Sequence, residues 1–560
     1  MRTFYCIALL AALSVAGCKK YENGPLENFT EEIIFDPLDQ NGLNAQQFLA
    51  NIYAEMPTGF NRIGGDLLDA ATDDAMPSRF GTSIQSIIQG NLTNASHPDG
   101  AWSKYYGGIR KVNLFLSKID IVPKPDEVKR WKAEARFLRA FFYFELLKRY
   151  GGVPLVGDRV FSPEDDIQLP RNSFAECVDY IVSECDAVKT QVFIEPVPAP
   201  DFGKASRGSA IALKARVLLY AASPLYNGGV PAAASAAQKA VMGYPGYDLN
   251  RWDLAAKAAN ELLTLNVYTL EGTYNNVFLN RRNNEVILSF LRGTTTDVET
   301  NNGPVGYTLN GVSNGATSPT QQLVDAFPMA NGKAITDPAS GYDAANPYNS
   351  RDPRLANTVL RNGSQWLNRG VQTFEGGLDK PNRGGVQTQT GYYMRKFMGN
   401  FATSAQYSGQ NHNFVLFRIA EVMLNYAEAL NEFSGPSTAA VSTQLINIRK
   451  RAGIAAGSDN RYGVPTGLTQ EQMRAFIRNE RRIEMAFEEQ RYWDLRRWKT
   501  AETELNKPLE GMKTTLDNAG NPLYERVVAG KITFLPRMYY YAIPFGEISN
   551  NRMLIQNHGW

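Results

Sequence analysis

The apolar positions of this 560-residue chain recur at helical spacing over most of its length and lose that period in the middle. From Val128 to Tyr150, Ala133, Phe137, Ala140, Phe141, Phe144 and Leu147 follow one helical stripe. Trp131, Ala135, Leu138, Phe142 and Leu146 form a second, which predicts a helix covered on two sides. Gly151-Gly152 and Pro154 supply its stop. The same period predicts helices over Phe174–Val188, Ser206–Ala222, Asp253–Asn266, Phe414–Phe433, Thr443–Ala452 and Gln470–Thr500. Ala255, Ala256, Ala258 and Ala259 in one of these, and Ala420, Ala427 and Ala429 in another, are small enough for neighbouring helices to approach closely. That pattern fits paired helices of tetratricopeptide type, although no clean repeat of about 34 residues is present.

Between about Gly272 and Asn411 the texture changes to Gly, Asn, Thr, Pro and Tyr, with only short strand-like runs such as Val286–Phe290. The aromatics Tyr307, Phe327, Tyr342, Tyr348, Trp366, Phe374, Tyr392 and Tyr393 argue for an ordered, loop-rich functional region over a disordered one. The expected fold is therefore mainly α: a tetratricopeptide-like paired-helix scaffold with a loop-rich, strand-poor inserted lobe. It divides into an N-terminal helical part over 36–271, the lobe over 272–411, and C-terminal helices with a terminal loop over 412–560.

The beginning of the chain has a different character. Arg2 precedes an apolar run from Phe4 to Leu13, and Ala16 and Gly17 stand directly before Cys18. The run falls short of the roughly 20 apolar residues that span a bilayer, but it fits the hydrophobic region of an export signal. Small residues before a Cys form a lipobox, so residues 1–17 read as a lipoprotein signal peptide and Cys18 as the site of lipid attachment. Residues 18–35 then read as a polar tether carrying Gly24-Pro25. At about 0.8 kcal/mol per buried methylene, several acyl chains on one Cys anchor a protein firmly to a membrane.

Composition narrows the chemistry. There are 58 Lys and Arg against 56 Asp and Glu, a balance of +2 that leaves no electrostatic footprint for nucleic acid. His97, His412 and His558 are scattered, and four Cys cannot build a disulfide framework, so no metal site or cofactor is expected. Cys177 and Cys185 lie eight apart on one predicted helix, roughly 12 Å along its axis, beyond the reach of about 7 Å that a disulfide allows. They read as buried thiols. No Walker loop, Gly-x-Ser-x-Gly elbow, His-Glu-x-x-His or calcium loop is present, and a non-catalytic protein is expected.

Several segments, in common order behind the lipobox, resemble the SusD/RagB family of outer-membrane nutrient-binding lipoproteins. They are Ala133-Glu134-Ala135-Arg136-Phe137-Leu138-Arg139-Ala140 running into Arg149-Tyr150-Gly151-Gly152-Val153-Pro154-Leu155, Ala205-Ser206-Arg207-Gly208, Asn284-Glu285-Val286-Ile287 and Arg351-Asp352-Pro353-Arg354-Leu355. Arg418-Ile419-Ala420-Glu421, Arg478-Asn479-Glu480-Arg481-Arg482 and the terminal Gln556-Asn557-His558-Gly559-Trp560 continue the series. The resemblance covers nearly all of the chain after the signal. It implies capture of an oligosaccharide or polysaccharide on the outer face of the outer membrane and its delivery to a SusC-like TonB-dependent transporter. Capture of peptides or another nutrient in the same role is an alternative, as is a ligand-free tetratricopeptide-like envelope scaffold.

The motif residues themselves read as architecture. Arg481 with Glu484, Glu488 with Arg491 and Asp494 with Arg497 are opposite charges at i,i+3, a ladder along one helix with Phe476, Ile483 and Phe487 as its apolar stripe. Asp352-Pro353 reads as a helix N-cap with Pro at the first position. Sugar capture instead asks for flat aromatic faces and planar polar groups in a concave site. One region with that mixture holds Asp73, Asp74, Arg79 and Phe80 with the helix start at Trp102 and Tyr105; a second holds Tyr307, Asn314, Tyr342 and Trp366. In similar glycan-binding members the stretches matching Asp73–Phe80 and Trp102 contribute to the ligand face. Scaffold packing of Trp102 and Trp366, and a solvated ion-paired turn at Asp73, Asp74 and Arg79, stand beside that reading.

Overall fold

A computed structural model describes residues 31–162, 164–307, 315–382, 385–399, 409–436 and 438–560. Cys18 and Asn314 lie outside the described residues. The principal helices are α1 (Leu43–Tyr53), α2 (Ala101–Lys118), α3 (Pro125–Tyr150), α4 (Phe174–Val188), α5 (Arg207–Ala222) and α6 (Asn250–Leu263). They continue with α7 (Ile419–Ser434), α8 (Ala439–Ala452), α9 (Gln470–Glu484), α10 (Gln490–Arg497) and α11 (Phe545–Asn550). From α2 to α6 each principal helix packs on the next, and α6 then packs on α7 across the chain's long excursion through the lobe. This succession is the paired-helix scaffold the periodicity predicts. Among the described residues no helix is long and apolar enough to cross a membrane.

Local sequence explains where these helices begin and end. Ser173 and Glu176 form a reciprocal capping box at the start of α4, satisfying two backbone donors that a helix terminus leaves free. Ser206 caps α5 through Ser209 in the same manner. Gly151 ends α3 at φ 79°, where an added Cβ would meet the Val241 carbonyl oxygen at 2.4 Å, so this stop needs glycine. The predicted small residues lie where expected: Ala255 and Ala256 of α6 pack with Leu219 and Ala222 of α5 and Ala429 of α7.

Two predicted helices differ from the structure. The apolar run beginning at Phe414 is a strand through Arg418, and the helix starts only at Ile419. Phe414-Val415-Leu416-Phe417 is aromatic and β-branched in character and pairs antiparallel with Val286–Phe290, so both strands lie in the interior. The helix predicted over Gln470–Thr500 breaks at Met485–Glu489, where Phe487 and Glu489 adopt φ of 63° and 58°. A short antiparallel pair, Ala75–Pro77 with Thr317–Pro319, ties the N-terminal part to the lobe. A long hairpin joins Pro508–Leu516 to Pro522–Lys531. One continuous apolar core includes Phe35, Phe141, Tyr307, Trp366, Phe487 and Leu554, so the helical parts and the lobe share it. Cys177 and Cys185 are free and buried in α4; burial pushes the Cys177 thiol up to about 12.

The break after α9 organises the charges of the core. The predicted ladder forms only at Asp494–Arg497, 2.8 Å. Glu484 instead meets Arg418 at 2.7 Å, Arg354 at 2.9 Å and also Arg451. Glu488 meets Lys396 and Arg418, each at 2.7 Å. Arg418 reaches Glu285 at 2.7 Å as well, and Arg481 pairs with Asp494 at 2.7 Å. A continuous helix would present these carboxylates one after another along its surface; the turn at 485–489 points them inward to cations from four other segments. All of these residues are buried except Arg451, whose side chain is nevertheless only 4% exposed. Buried charges are tolerable only when paired and hydrogen-bonded, which this network accomplishes.

Candidate ligand-binding site

A cleft of about 710 Å³ lies between the first half of α2, the loop from Pro154 to Leu169, and α11 with the residues that follow it. Small-molecule sites commonly fall in the range of about 300–1,000 Å³. The phase of α2 builds one wall: Trp102, Tyr106, Ile109, Arg110 and Asn113 are spaced by about one helical turn and face the same way. Trp102 packs at a tilt of 47° against Tyr106 with ring centroids 4.9 Å apart and meets Tyr150 edge-on at 5.1 Å. The Tyr106 hydroxyl donates to the Pro154 carbonyl at 2.9 Å, joining helix to loop. Burial holds its phenol well above the ordinary tyrosine value, so it stays a neutral donor.

Asn113 sets the loop. Its side-chain amide donates to the carbonyls of Gly157 at 2.9 Å and Arg159 at 2.8 Å, while its oxygen accepts from Arg139 at 2.8 Å. The loop then turns Phe161 into the cleft, with the Arg159 guanidinium over its ring at 4.4 Å. On the far side Asn551 donates to the Leu169 carbonyl at 2.7 Å, and Gln168 donates to that of Asn550 at 3.0 Å. The floor is thus aromatic and aliphatic. The rim carries exposed Arg110, Arg159, Asp165 and Asp166 with the amide of Asn550. Such a surface offers ring faces to apolar C–H groups and both donors and acceptors to hydroxyls. Among the described residues no group of three or more His, Cys, Asp or Glu is placed to hold a metal ion.

Comparison with known proteins identifies this architecture. A family model described as the SusD family matches residues 277–560, just over half of the chain, and a second, described as starch-binding associating with outer membrane, matches residues 36–219. The chain belongs to the SusD family. A SusD-like protein of Formosa agariphila, P38, is 26% identical over 457 residues, 79% of this chain and 80% of that protein. The crystal structure of a SusD-like protein from Bacteroides fragilis superposes with a TM-score of 0.76 at 25% identity, over 95% of this chain and 98% of the other. A second structure from that organism, described as a SusD-like carbohydrate binding protein, has a TM-score of 0.73 at 23% identity, over 92% and 99%.

Within this SusD-family chain the sequence-predicted site residues fall into three settings. Trp102 lies in the cleft but is only 5% exposed, with its ring largely committed to Tyr106 and Tyr150. Tyr105 points the opposite way into the core and bonds Glu145 at 3.2 Å. Its neighbour Tyr106, one turn after Trp102, is the tyrosine that lines the cleft, and the three- and four-residue spacing of α2 was the signal for it.

Asp73 and Asp74 are buried and spent on the scaffold: Arg491 grips Asp73 at 2.7 and 2.9 Å, and Arg482 binds Asp74 at 2.6 Å. The two guanidiniums hold the Asp73 carboxyl well below the usual carboxylate range. Arg79 sits 3.8 Å from Asp66, and Phe80 beside it is 78% exposed. In the lobe, Tyr307 and Trp366 are buried against each other at 5.0 Å, and Tyr307 donates to the carbonyls of Arg369 at 2.9 Å and Trp366 at 3.1 Å. Tyr342 is half-buried below Arg351. None of the lobe residues lines the Trp102 cleft among the described residues. Phe161 and Arg159 escape a sequence reading, because a loop residue gains its orientation from Asn113 and α11, which local sequence does not display; Arg110, four residues after Tyr106 on α2, escapes it although helical phase was an available signal.

Proposed function

We propose that this protein captures an oligosaccharide or polysaccharide at the cell surface and passes it on without cleaving it. The observation that carries this reading is the cleft itself, where Trp102, Tyr106 and Phe161 supply aromatic edges and faces while Arg110, Arg159, Asp165, Asp166 and Asn550 ring them with hydrogen-bonding groups. A sugar presents alternating C–H patches and hydroxyls, and this alternation matches them. The description of a family model as starch-binding and outer-membrane-associated supports the same reading, as does the carbohydrate-binding description of a Bacteroides fragilis relative.

In this proposal the signal before Cys18 exports the chain, Cys18 carries the lipid that anchors it to the outer membrane, and the body faces outward. Its partner is a SusC-like TonB-dependent transporter that receives the ligand. Phe80, displayed on the segment Asp73–Phe80, is an exposed ring outside the cleft that a longer glycan would use in this proposal. Calorimetric titration of the mature protein against a panel of neutral glycans and peptides tests the proposal. Heat from at least one glycan, with no reducing ends released, is the expected result; heat from peptides alone, or silence throughout, overturns it. Failure to co-purify with a transporter from gently solubilised membranes removes the partner.

A further inference from the structure

A second cavity, of about 370 Å³, opens in the lobe beside the start of the short helix Pro353–Thr358. Its lining is mixed, with Val324, Leu355, Val359 and Leu360 beside the polar groups, and it carries an unbalanced charge. Arg351 and Arg361 both contribute to it, and among the described residues no carboxylate is ion-paired with either. Asp352 also lines it, but its oxygens are held by Arg354, 2.8 Å away in the charged core. Asp325, another carboxylate near Arg351, is bound to Arg526 at 2.7 Å.

The two guanidiniums are placed differently. Arg351 is only 7% exposed and clamps the carbonyls of Pro347, Val324 and Phe327 at 2.8, 2.6 and 2.6 Å. Those bonds satisfy donors without cancelling charge, and its buried Nε–H has no acceptor. Burial accordingly holds this arginine below its ordinary value. Arg361 is half-buried, lies over the Tyr348 ring at 4.5 Å, and spends one donor on the Asn362 carbonyl at 2.8 Å. Of the five N–H donors of a guanidinium, most of those on Arg361 remain for a ligand. Ser364 and Gln365 add a hydroxyl and an amide to the same wall. A buried cation without an anion raises the potential of the cavity, and a nearby half-open arginine can make the contact.

We infer that this cavity is an anion subsite, in which Arg361 binds the carboxylate or sulfate ester of an acidic saccharide under the field of Arg351. The sugar rests on the glycan-capture reading; the anion contact does not. The test compares wild type with Arg361→Gln, Arg361→Lys and Phe161→Ala, titrating each with tetragalacturonate, a sulfated tetrasaccharide and neutral maltotetraose.

In wild type, at least one acidic probe is expected to bind at least tenfold more tightly than the neutral one and to weaken as salt rises. Arg361→Gln is expected to abolish that preference without shifting the melting temperature, Arg361→Lys to retain part of it, and Phe161→Ala to weaken the neutral probe while the Arg361-dependent acidic binding persists. The tighter of the two acidic probes distinguishes carboxylate from sulfate. Equal binding of acidic and neutral probes, absence of acidic binding, or an unchanged preference in Arg361→Gln overturns the inference. Acidic binding that depends on Arg361 while neutral glycans stay silent would sustain the subsite and remove the Trp102 cleft as the site of capture.

Discussion

The charged core around Glu484 and the rim of the Trp102 cleft use the same residue types to opposite ends. In the core, Arg354, Arg418 and Lys396 meet Glu285, Glu484 and Glu488 at 2.7–2.9 Å, and every partner is buried. At the rim, Arg110, Arg159, Asp165 and Asp166 are exposed, and the principal contact of Arg159 is the Phe161 ring. Charges committed to one another hold a shape but have no donors left for a guest. Charges left on a rim add little stability and keep their hydrogen-bonding capacity. The most recognisable motifs of the chain, Arg351–Leu355 and Arg478–Arg482, supply chiefly the first kind.

The contrast can be broken most forcefully at Arg418. Arg418→Ala removes the common partner of Glu285, Glu484 and Glu488 and leaves the buried cluster one cation short, with only Arg354, Arg451 and Lys396 facing those carboxylates. Stability is expected to fall by about 3–5 kcal/mol; a urea midpoint within error of wild type would show that the network holds nothing together. Arg159→Ala, measured beside it, is expected to change stability by less than about 0.5 kcal/mol.

A second core group sharpens the comparison through acid. Glu428 accepts from Arg497 at 2.7 and 2.7 Å and from Trp498 at 2.7 Å, which holds its carboxyl down to about 2 from an ordinary 4.5. Because the folded value lies below the unfolded one, its contribution is complete above about pH 4.5 and is lost as pH falls toward 2. The gap corresponds to stability on the order of 3 kcal/mol. Urea unfolding across that window is expected to show a steeper loss for wild type than for Glu428→Gln. Parallel curves would mean that Glu428 does not carry the acid sensitivity.

A smaller effect than in the charged core is expected on binding at the cleft. Phe161→Ala removes a ring that faces the cavity from a loop and is expected to weaken glycan binding about tenfold, or about 1.4 kcal/mol, while the melting temperature stays unchanged. Lost stability with unchanged affinity would make Phe161 a packing residue and place it on the other side of the comparison.

Sequence pattern revealed the scaffold wherever signals were local. The apolar period over Phe174–Val188 announces α4, Gly151 stops α3, and the alanines of α6 mark a close contact. It failed where a tertiary partner decides. Phe414–Arg418 has helical spacing but finds a strand partner in Val286–Phe290. The period of α9 runs through Phe487, although the chain turns there at positive φ to satisfy cations from elsewhere. The cleft was half visible: Trp102 announces itself by type and Tyr106 by phase. Phe161 and Asn551 are brought there by contacts between distant parts of the chain, which no spacing rule encodes.

That distance bears on the order of folding. The wall formed by α11 meets the Pro154–Leu169 loop through hydrogen bonds between residues 382 positions apart, Gln168 to Asn550 and Asn551 to Leu169. The helices α2 to α6 can zip together from near neighbours, but closing a loop of that length is slow and comes after local structure. A chain interrupted before Phe545 would retain the scaffold helices and lack the cleft. Ligand binding therefore reports completion of the molecule in a way that helical content does not.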